Sequence, residues 1–198
     1  MIEEIFPTLI LNENVSYKFG NKFNDMVYDI SKKLKKESKS NQHEGWNCDT
    51  FNTREINLKD EDIFKDFSNF IKSRTLVFID NYKFHNKYKL KMTDLWINVA
   101  SPGDYQEYHI HPRSHFSAVY YVKANKNSGD FVIRSIEGWN DMMHLDREEN
   151  NRFNADCYFY EPHPSKLLVF KSNLPHMVKK NKSEEDRVSI SMNFIMEE

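Results

Sequence analysis

Apolar positions recur at helical spacing in the first half of this chain and alternate in the second. From Phe23 they fall at Phe23, Met26, Val27, Ile30 and Leu34 with lysines opposite, the stripe of an amphipathic helix. A second stripe, Ile63, Phe64, Phe67, Phe70 and Ile71, predicts a helix from about Asp60 that ends before or within Leu76 to Asp80. Asp60 to Asp62 place acids at its positive end. Ahead of both helices, Ile5 to Leu11 reads as a short strand. Pro7 interrupts it and cannot donate to a ladder, which points to a sheet edge. Asn12 to Asn21 is turn-rich, Glu37 to Gln42 reads as a polar loop, and Trp46 to Ile56 is weakly patterned.

After Lys91 the period becomes two. Strands are predicted at Asp94–Ala100, His115–Lys123, Asp130–Ile136, Cys157–Glu161, Leu167–Lys171, His176–Lys179 and Arg187–Ile195. Asn127-Ser128-Gly129 suits a hairpin turn, as do Pro102-Gly103-Asp104 and, less tightly, Pro162 to Lys166. Short strands at this spacing imply a sandwich or closed barrel such as a jelly roll. The class is therefore α+β within a single domain. Residues 1–92 supply a strand and helices that pack on a C-terminal β-core at 93–198. Between Glu137 and Ala155 lies a polar, charged stretch carrying Trp139, Met142 and Met143, long enough to read as a functional lid.

Composition narrows the classes. At 198 residues one domain can bury a sizeable core, but only 39% of residues are hydrophobic and mean hydropathy is -0.77. Aromatic residues, 14% of the chain, must therefore fill much of that core. A net charge of -2 gives no electrostatic reason to expect a nucleic acid or an anionic membrane as partner. The dense lysine run at Lys32, Lys33, Lys35 and Lys36 reads as a solvated helix face. Cys48 and Cys157 form no paired motif, which suits a reducing cytoplasm. The N-terminus lacks a basic secretory leader, and no apolar run reaches membrane-spanning length. A cytoplasmic location is expected.

The chemistry concentrates between Tyr105 and Val122. His109 and His111 stand two residues apart, so on an extended segment both imidazoles project from one face. With His176, on a late strand, they make three imidazole ligands, enough to hold a divalent metal with coordination positions left open. That arithmetic equally suits a zinc hydrolase or a cupin-like metal-binding shell without catalysis. Farther on, Arg187-Val188-Ser189-Ile190-Ser191-Met192-Asn193-Phe194 places a wholly polar set on one face and a wholly apolar set on the other. Arg187 and Ser189 form a fork suited to a carboxylate.

Taken together, these stretches resemble the Fe(II)- and 2-oxoglutarate-dependent dioxygenases, and more narrowly a 2-oxoglutarate/Fe(II) oxygenase family of bacteria and phages. The matching segments include Ile5-Phe6-Pro7-Thr8, Gly45-Trp46, Leu95-Trp96-Ile97-Asn98 and His109-Ile110-His111-Pro112. Ala118-Val119-Tyr120-Tyr121-Val122, Ser128-Gly129-Asp130, Leu174-Pro175-His176-Met177-Val178 and the Arg187–Phe194 strand complete them. The resemblance implies a double-stranded β-helix (jelly-roll) core, with Fe(II), 2-oxoglutarate and dioxygen as cofactor and co-substrates. It also implies hydroxylation of a small-molecule or protein side-chain substrate, with 2-oxoglutarate decarboxylated to succinate. Carried over residue by residue, it makes His109 and His176 iron ligands and has Arg187, assisted by Ser189, bind the distal carboxylate. Asn98 and Tyr120 are further co-substrate contacts. Where the superfamily usually has an aspartate or glutamate, this chain has His111. The third ligand is thus His111 or Glu107, which is in phase with His109. Neither the substrate nor the oligomeric state follows from the sequence, and a homodimer remains open.

Overall fold

Strands from Lys89 onward, joined by two short ones from earlier in the chain, build two antiparallel sheets. The computed structural model describes residues 2–37, 50–135 and 146–198. Residues 38–49 and 136–145 lie outside these. With them go most of the expected 37–42 loop, Trp46, and the lid residues Trp139, Met142 and Met143.

The larger sheet has six strands in the order β1 (Leu11–Asn14), β8 (Lys166–Lys171), β5 (Phe116–Lys123), β10 (Arg187–Glu197), β3 (Lys89–Ala100) and β2 (Phe51–Asn52). The smaller has four, in the order β4 (Gln106–His109), β9 (His176–Val178), β6 (Phe131–Arg134) and β7 (Cys157–Tyr160). Helices α1 (Asn21–Glu37) and α2 (Asp62–Asp80) pack on the larger sheet. No helix among the described residues is long and apolar enough to cross a membrane.

Side-chain alternation on the large sheet separates two interiors. Leu95, Ile97 and Val99 of β3, Leu167 and Val169 of β8, and Val188, Ile190, Met192 and Phe194 of β10 face the helices. There they meet Phe64, Phe67 and Ile71 of α2 and Val27 of α1. The opposite faces, with Val119, Tyr121, Leu168 and Phe170, meet Phe131, Ile133 and Val178 of the small sheet. Fully burying one such aliphatic or aromatic side chain stabilises by roughly 1.5–3 kcal/mol. Tyr120 belongs to the helix-side interior. It is fully buried, its ring edge-on to Phe67 at 5.1 Å. Its hydroxyl reaches the Phe19 carbonyl at 2.9 Å and Asn24 Oδ1 at 2.7 Å.

Several boundaries differ from the sequence expectation. The first strand forms at Leu11–Asn14, not Ile5–Leu11, and draws Asn12 to Asn14 out of the expected turn into pairing with β8. Pro7 lacks an amide hydrogen and Phe6 has a φ of 58°, so the earlier segment cannot supply a ladder. Met26 and Ile63, assigned to the two apolar stripes, are each 36% exposed. On α1 the buried positions are Asn24, Val27 and Ser31, of which Val27 alone belongs to the expected stripe. Two strands went unread: β2 has two residues, and β4 has four with no apolar alternation.

Candidate metal centre

β10 is not an edge strand. It lies between β5 and β3, so its polar face is covered by the small sheet and not by water. Arg187 is 4% exposed, Ser189 8% and Asn193 2%. Arg187, Ser189 and Ser191, together with Asn98 and Trp96 of β3, form one wall of a cavity between the sheets. The opposite wall carries His109, His176, Phe131 and Val178.

The histidines converge because two strands of the small sheet run side by side. His109 ends β4 directly opposite His176, which begins β9. His111 lies just past β4, anchored by its backbone N–H to the Ser172 carbonyl at 2.8 Å. The ligating nitrogens of His109, His111 and His176 all lie within 4.8 Å of one another. Glu107 contributes only its carbonyl, which accepts from His109 Nδ1 at 2.7 Å. His176 Nδ1 donates likewise to the Leu174 carbonyl at 2.8 Å. A carbonyl can only accept, so in both rings Nδ1 carries the hydrogen and Nε2 presents its lone pair.

The donor set suits a divalent metal. His111 Nε2 and His176 Nε2 are 3.2 Å apart. Two imidazole nitrogens held about 2.1 Å from one ion, at the angles of tetrahedral or octahedral coordination, are separated by roughly 3.0–3.4 Å. Burial holds His109 and His111 below the ordinary imidazole range, His111 at about 4, with the nearby Arg54 guanidinium adding to both. His176 is pushed well below it by burial and by the two neighbouring histidines. All three are therefore neutral at physiological pH, and a metal need displace no proton to bind.

Arg187 supplies the second half of the site. Its Nη1 donates to the carbonyls of Ser128, Gly129 (3.2 Å) and Lys179 (3.4 Å). These partners are neutral, and among the described residues Arg187 forms no ion pair. Nη2 and Nε make no hydrogen bond with a described residue. Of the described side chains lining the cavity, Arg187 alone is ionised. Burying a charge is costly; the nearby Tyr121 hydroxyl and Asp104 carboxylate offset that cost only in part, and the geometry leaves half of the guanidinium fork free for an anion. Gly129 makes the clamp feasible. At φ +97°, a Cβ there would sit 2.1 Å from the Lys179 carbonyl oxygen and 2.7 Å from Arg187 Nη1.

Of the sequence-assigned residues, the cavity brings together His109, His111, His176, Arg187, Ser189 and Asn98. Asn98 accepts from Trp96 Nε1 at 3.1 Å and donates to Ser191 Oγ at 2.9 Å. Tyr120 is the exception, because it faces the helices. Its neighbour Tyr121 lines the cavity instead, paired with Ser189 across β5 and β10, and burial raises its hydroxyl to about 12. Trp96 also lines the cavity and carries the Arg54 guanidinium over its ring at 5.2 Å. Gln106 was not anticipated. The parity of β5 would have identified Tyr121 had its register against Ser189 been visible, since cross-strand partners share a face.

Comparison with known proteins places the chain in a family. Residues 94–193 match the model of a family described as "Putative 2OG-Fe(II) oxygenase". No curated protein matches the sequence. Among solved structures, the chain is similar to a Pseudomonas putida prolyl-4-hydroxylase, with a TM-score of 0.66 at 13% identity over 95% of this chain and 92% of the other. It is similar to a Trichoplax adhaerens prolyl hydroxylase in complex with a hypoxia inducible factor peptide fragment (TM-score 0.60, 17% identity, 94% and 82% covered). It is also similar to HygX of Streptomyces hygroscopicus with nickel and 2-oxoglutarate bound (TM-score 0.63, 10% identity, 94% and 82% covered). At these identities the likeness concerns the fold.

Proposed function

Because the chain belongs to the 2OG-Fe(II) oxygenase family, with Fe(II), 2-oxoglutarate and dioxygen as its cofactor and co-substrates, we propose that it hydroxylates a small-molecule or protein side-chain substrate at the cavity between its sheets. The two sheets are then the family's double-stranded β-helix, with the helices packed on its larger face. His109, His111 and His176 hold the iron through their Nε2 atoms, and His111, not Glu107, takes the third place. When bound, iron with 2-oxoglutarate and dioxygen supplies oxidative decarboxylation of the co-substrate to succinate and carbon dioxide, coupled to oxidation of a substrate C–H bond.

What the chain contributes is binding, orientation and shielding. Arg187 takes the distal carboxylate with the free side of its guanidinium, and the hydroxyls of Ser189 and Tyr121 add donors beside it. Raised by burial, the Tyr121 hydroxyl stays protonated and so remains a donor. Asn98, fixed between Trp96 and Ser191, offers an amide to the same cavity. Phe131, Phe170, Val119 and Val178 exclude water from it, which strengthens each polar contact. The observation that carries this reading is Arg187: a buried cation hydrogen-bonded only to backbone carbonyls, lining the same cavity as three neutral histidines. A metal-binding shell without a co-substrate, or a metallohydrolase, has no use for it.

The test is succinate formation. Purified protein with Fe(II), ascorbate and 2-oxoglutarate should produce succinate slowly even without the prime substrate, and Arg187→Ala should abolish this. A wild-type protein that neither binds nor turns over 2-oxoglutarate would refute the proposal.

A further inference from the structure

A second arginine stands at the rim of the cavity. Asn52 of β2 pairs with Asn98 of β3, and just past β2 the Thr53 N–H donates to the Ile97 carbonyl at 3.0 Å. Continued by one residue, this antiparallel register sets Arg54 opposite Trp96. Cross-strand partners share a face. Asn98 and Trp96 line the cavity, so Arg54 stands on the cavity side of the large sheet, at its β2 edge. Its guanidinium lies over the Trp96 ring, 5.2 Å from the centroid. The same indole neighbours the His111 imidazole, with ring centroids 5.8 Å apart and planes tilted by 31°.

The rim is built, and its cation is uncommitted. Thr53, 1% exposed, ties the segment down through its Oγ1, which accepts the Ile97 N–H at 2.9 Å. Trp96 is buried and pinned by donation from Nε1 to Asn98 at 3.1 Å. Arg54 itself is exposed. Its backbone N–H donates to Asn52 Oδ1 at 3.1 Å, while its side chain makes no hydrogen bond and no ion pair among the described residues. Asp94, two residues before Trp96 on the same face of β3, accepts from Thr93 Oγ1 at 2.7 Å and does not neutralise it. A guanidinium over an aromatic ring uses its face and leaves the N–H groups at its edge free to fork onto an anion.

Arg54 does not duplicate Arg187. Arg187 is paired with Ala100, four residues along β3 from Trp96, which is about 13 Å in an extended strand. One cation is buried at one end of the cavity, and the other faces solvent at the Trp96 end, beside His111. Resting on the reading of this cavity as an oxygenase site, we propose that Arg54 is a specificity-determining residue for the prime substrate, which carries an anionic group, a carboxylate or a phosphate. The anion docks on the free edge of the guanidinium, and the rest of the substrate lies along Trp96 toward the metal. Arg187 then selects the co-substrate and Arg54 the substrate.

The experiment uses matched pairs of small probes: N-acetyl amino acids against their primary amides, and phosphate monoesters against their parent alcohols. Each probe is titrated calorimetrically into protein loaded with Ni(II) and 2-oxoglutarate, and its stimulation of succinate formation is measured with Fe(II) and ascorbate. Wild type, Arg54→Lys, Arg54→Gln and Arg54→Glu are compared. In wild type one anionic class should bind about 10-fold or more tightly than its neutral partners, and the class that does so separates carboxylate from phosphate. Arg54→Lys keeps the charge and should keep part of the preference. Arg54→Gln should reduce it to within about threefold, and Arg54→Glu should reverse it. In the succinate assay the loss should fall on the probe concentration for half effect and not on the maximal rate, as it does for a group that binds without reacting. Thermal melting identifies any variant that fails to fold, and the wild-type comparison of anion with neutral partner needs no variant. A wild type that does not distinguish the partners, including one that binds neither, would overturn the proposal. So would a preference that survives in folded Arg54→Gln. A wild type that does not bind 2-oxoglutarate would instead overturn the proposed function itself.

Discussion

Replacing Arg187 by methionine removes the charge and the fork while keeping most of the side-chain length. In the proposed complex the guanidinium gives two hydrogen bonds to a carboxylate, and bonds to charged groups are worth about 1.5–3 kcal/mol each. The loss of both is then about 3–6 kcal/mol. At 1.4 kcal/mol per decade this is a weakening of 2-oxoglutarate binding by at least about 100-fold. Stability should respond differently. Wild-type Arg187 is 4% exposed and hydrogen-bonds only to carbonyls, so without 2-oxoglutarate it carries a desolvation cost that the nearby Tyr121 and Asp104 offset only in part. Methionine removes that cost but leaves the carbonyls of Ser128, Gly129 and Lys179 without this donor. The two effects oppose each other, and the melting temperature of the ligand-free variant should stay within a few degrees of wild type. The assay is calorimetric titration of 2-oxoglutarate into Ni(II)-loaded protein, with Ni(II) affinity as the control that the histidines are intact. A folded Arg187→Met variant that binds Ni(II) normally and 2-oxoglutarate within fivefold of wild type would refute the assignment of Arg187.

Other expectations follow from single residues. Gly129→Ala should lower stability by at least about 2 kcal/mol in urea unfolding and weaken 2-oxoglutarate binding, because its Cβ meets a backbone oxygen at 2.1 Å on a φ of +97°; a neutral outcome would mean that the clamp around Arg187 is looser than described. Tyr120→Phe should cost about 1 kcal/mol of stability with co-substrate affinity unchanged, whereas Tyr121→Phe should weaken 2-oxoglutarate binding several-fold; the reverse pattern would restore Tyr120 to the site. Tyr121 also makes an alkaline prediction. Its folded value of about 12 lies above the ordinary 10, so the unfolded chain loses this proton first, and stability should fall as pH rises from about 10 to about 12. In Tyr121→Phe that decline should shrink by roughly 2–3 kcal/mol, read from denaturation midpoints at pH 9 and above.

Much of this site was legible in the sequence because its signals are short-range. The parity of Arg187, Ser189, Ser191 and Asn193 is a property of one strand, and the spacing of His109 and His111 a property of one segment. What escaped depends on pairing between strands. Tyr120 and Tyr121 are adjacent, equally aromatic and both buried. Only the pairing of Tyr121 with Ser189 and of Tyr120 with Ile190 decides which of them meets the cavity. At the N-terminus the error was local. Pro7 was read as interrupting a strand, while Phe6 at positive φ shows that none forms there.

The most direct test of the central claim is an anaerobic titration of 2-oxoglutarate into the Fe(II)-loaded protein, followed by visible absorption. Chelation of Fe(II) by the keto acid end gives a charge-transfer band, and the account requires that band to appear and saturate in wild type. It should appear in Arg187→Met only at co-substrate concentrations about 100-fold higher or more, and not in a His109→Ala/His176→Ala variant. A wild-type protein that holds Fe(II) but develops no band on adding 2-oxoglutarate would contradict the account.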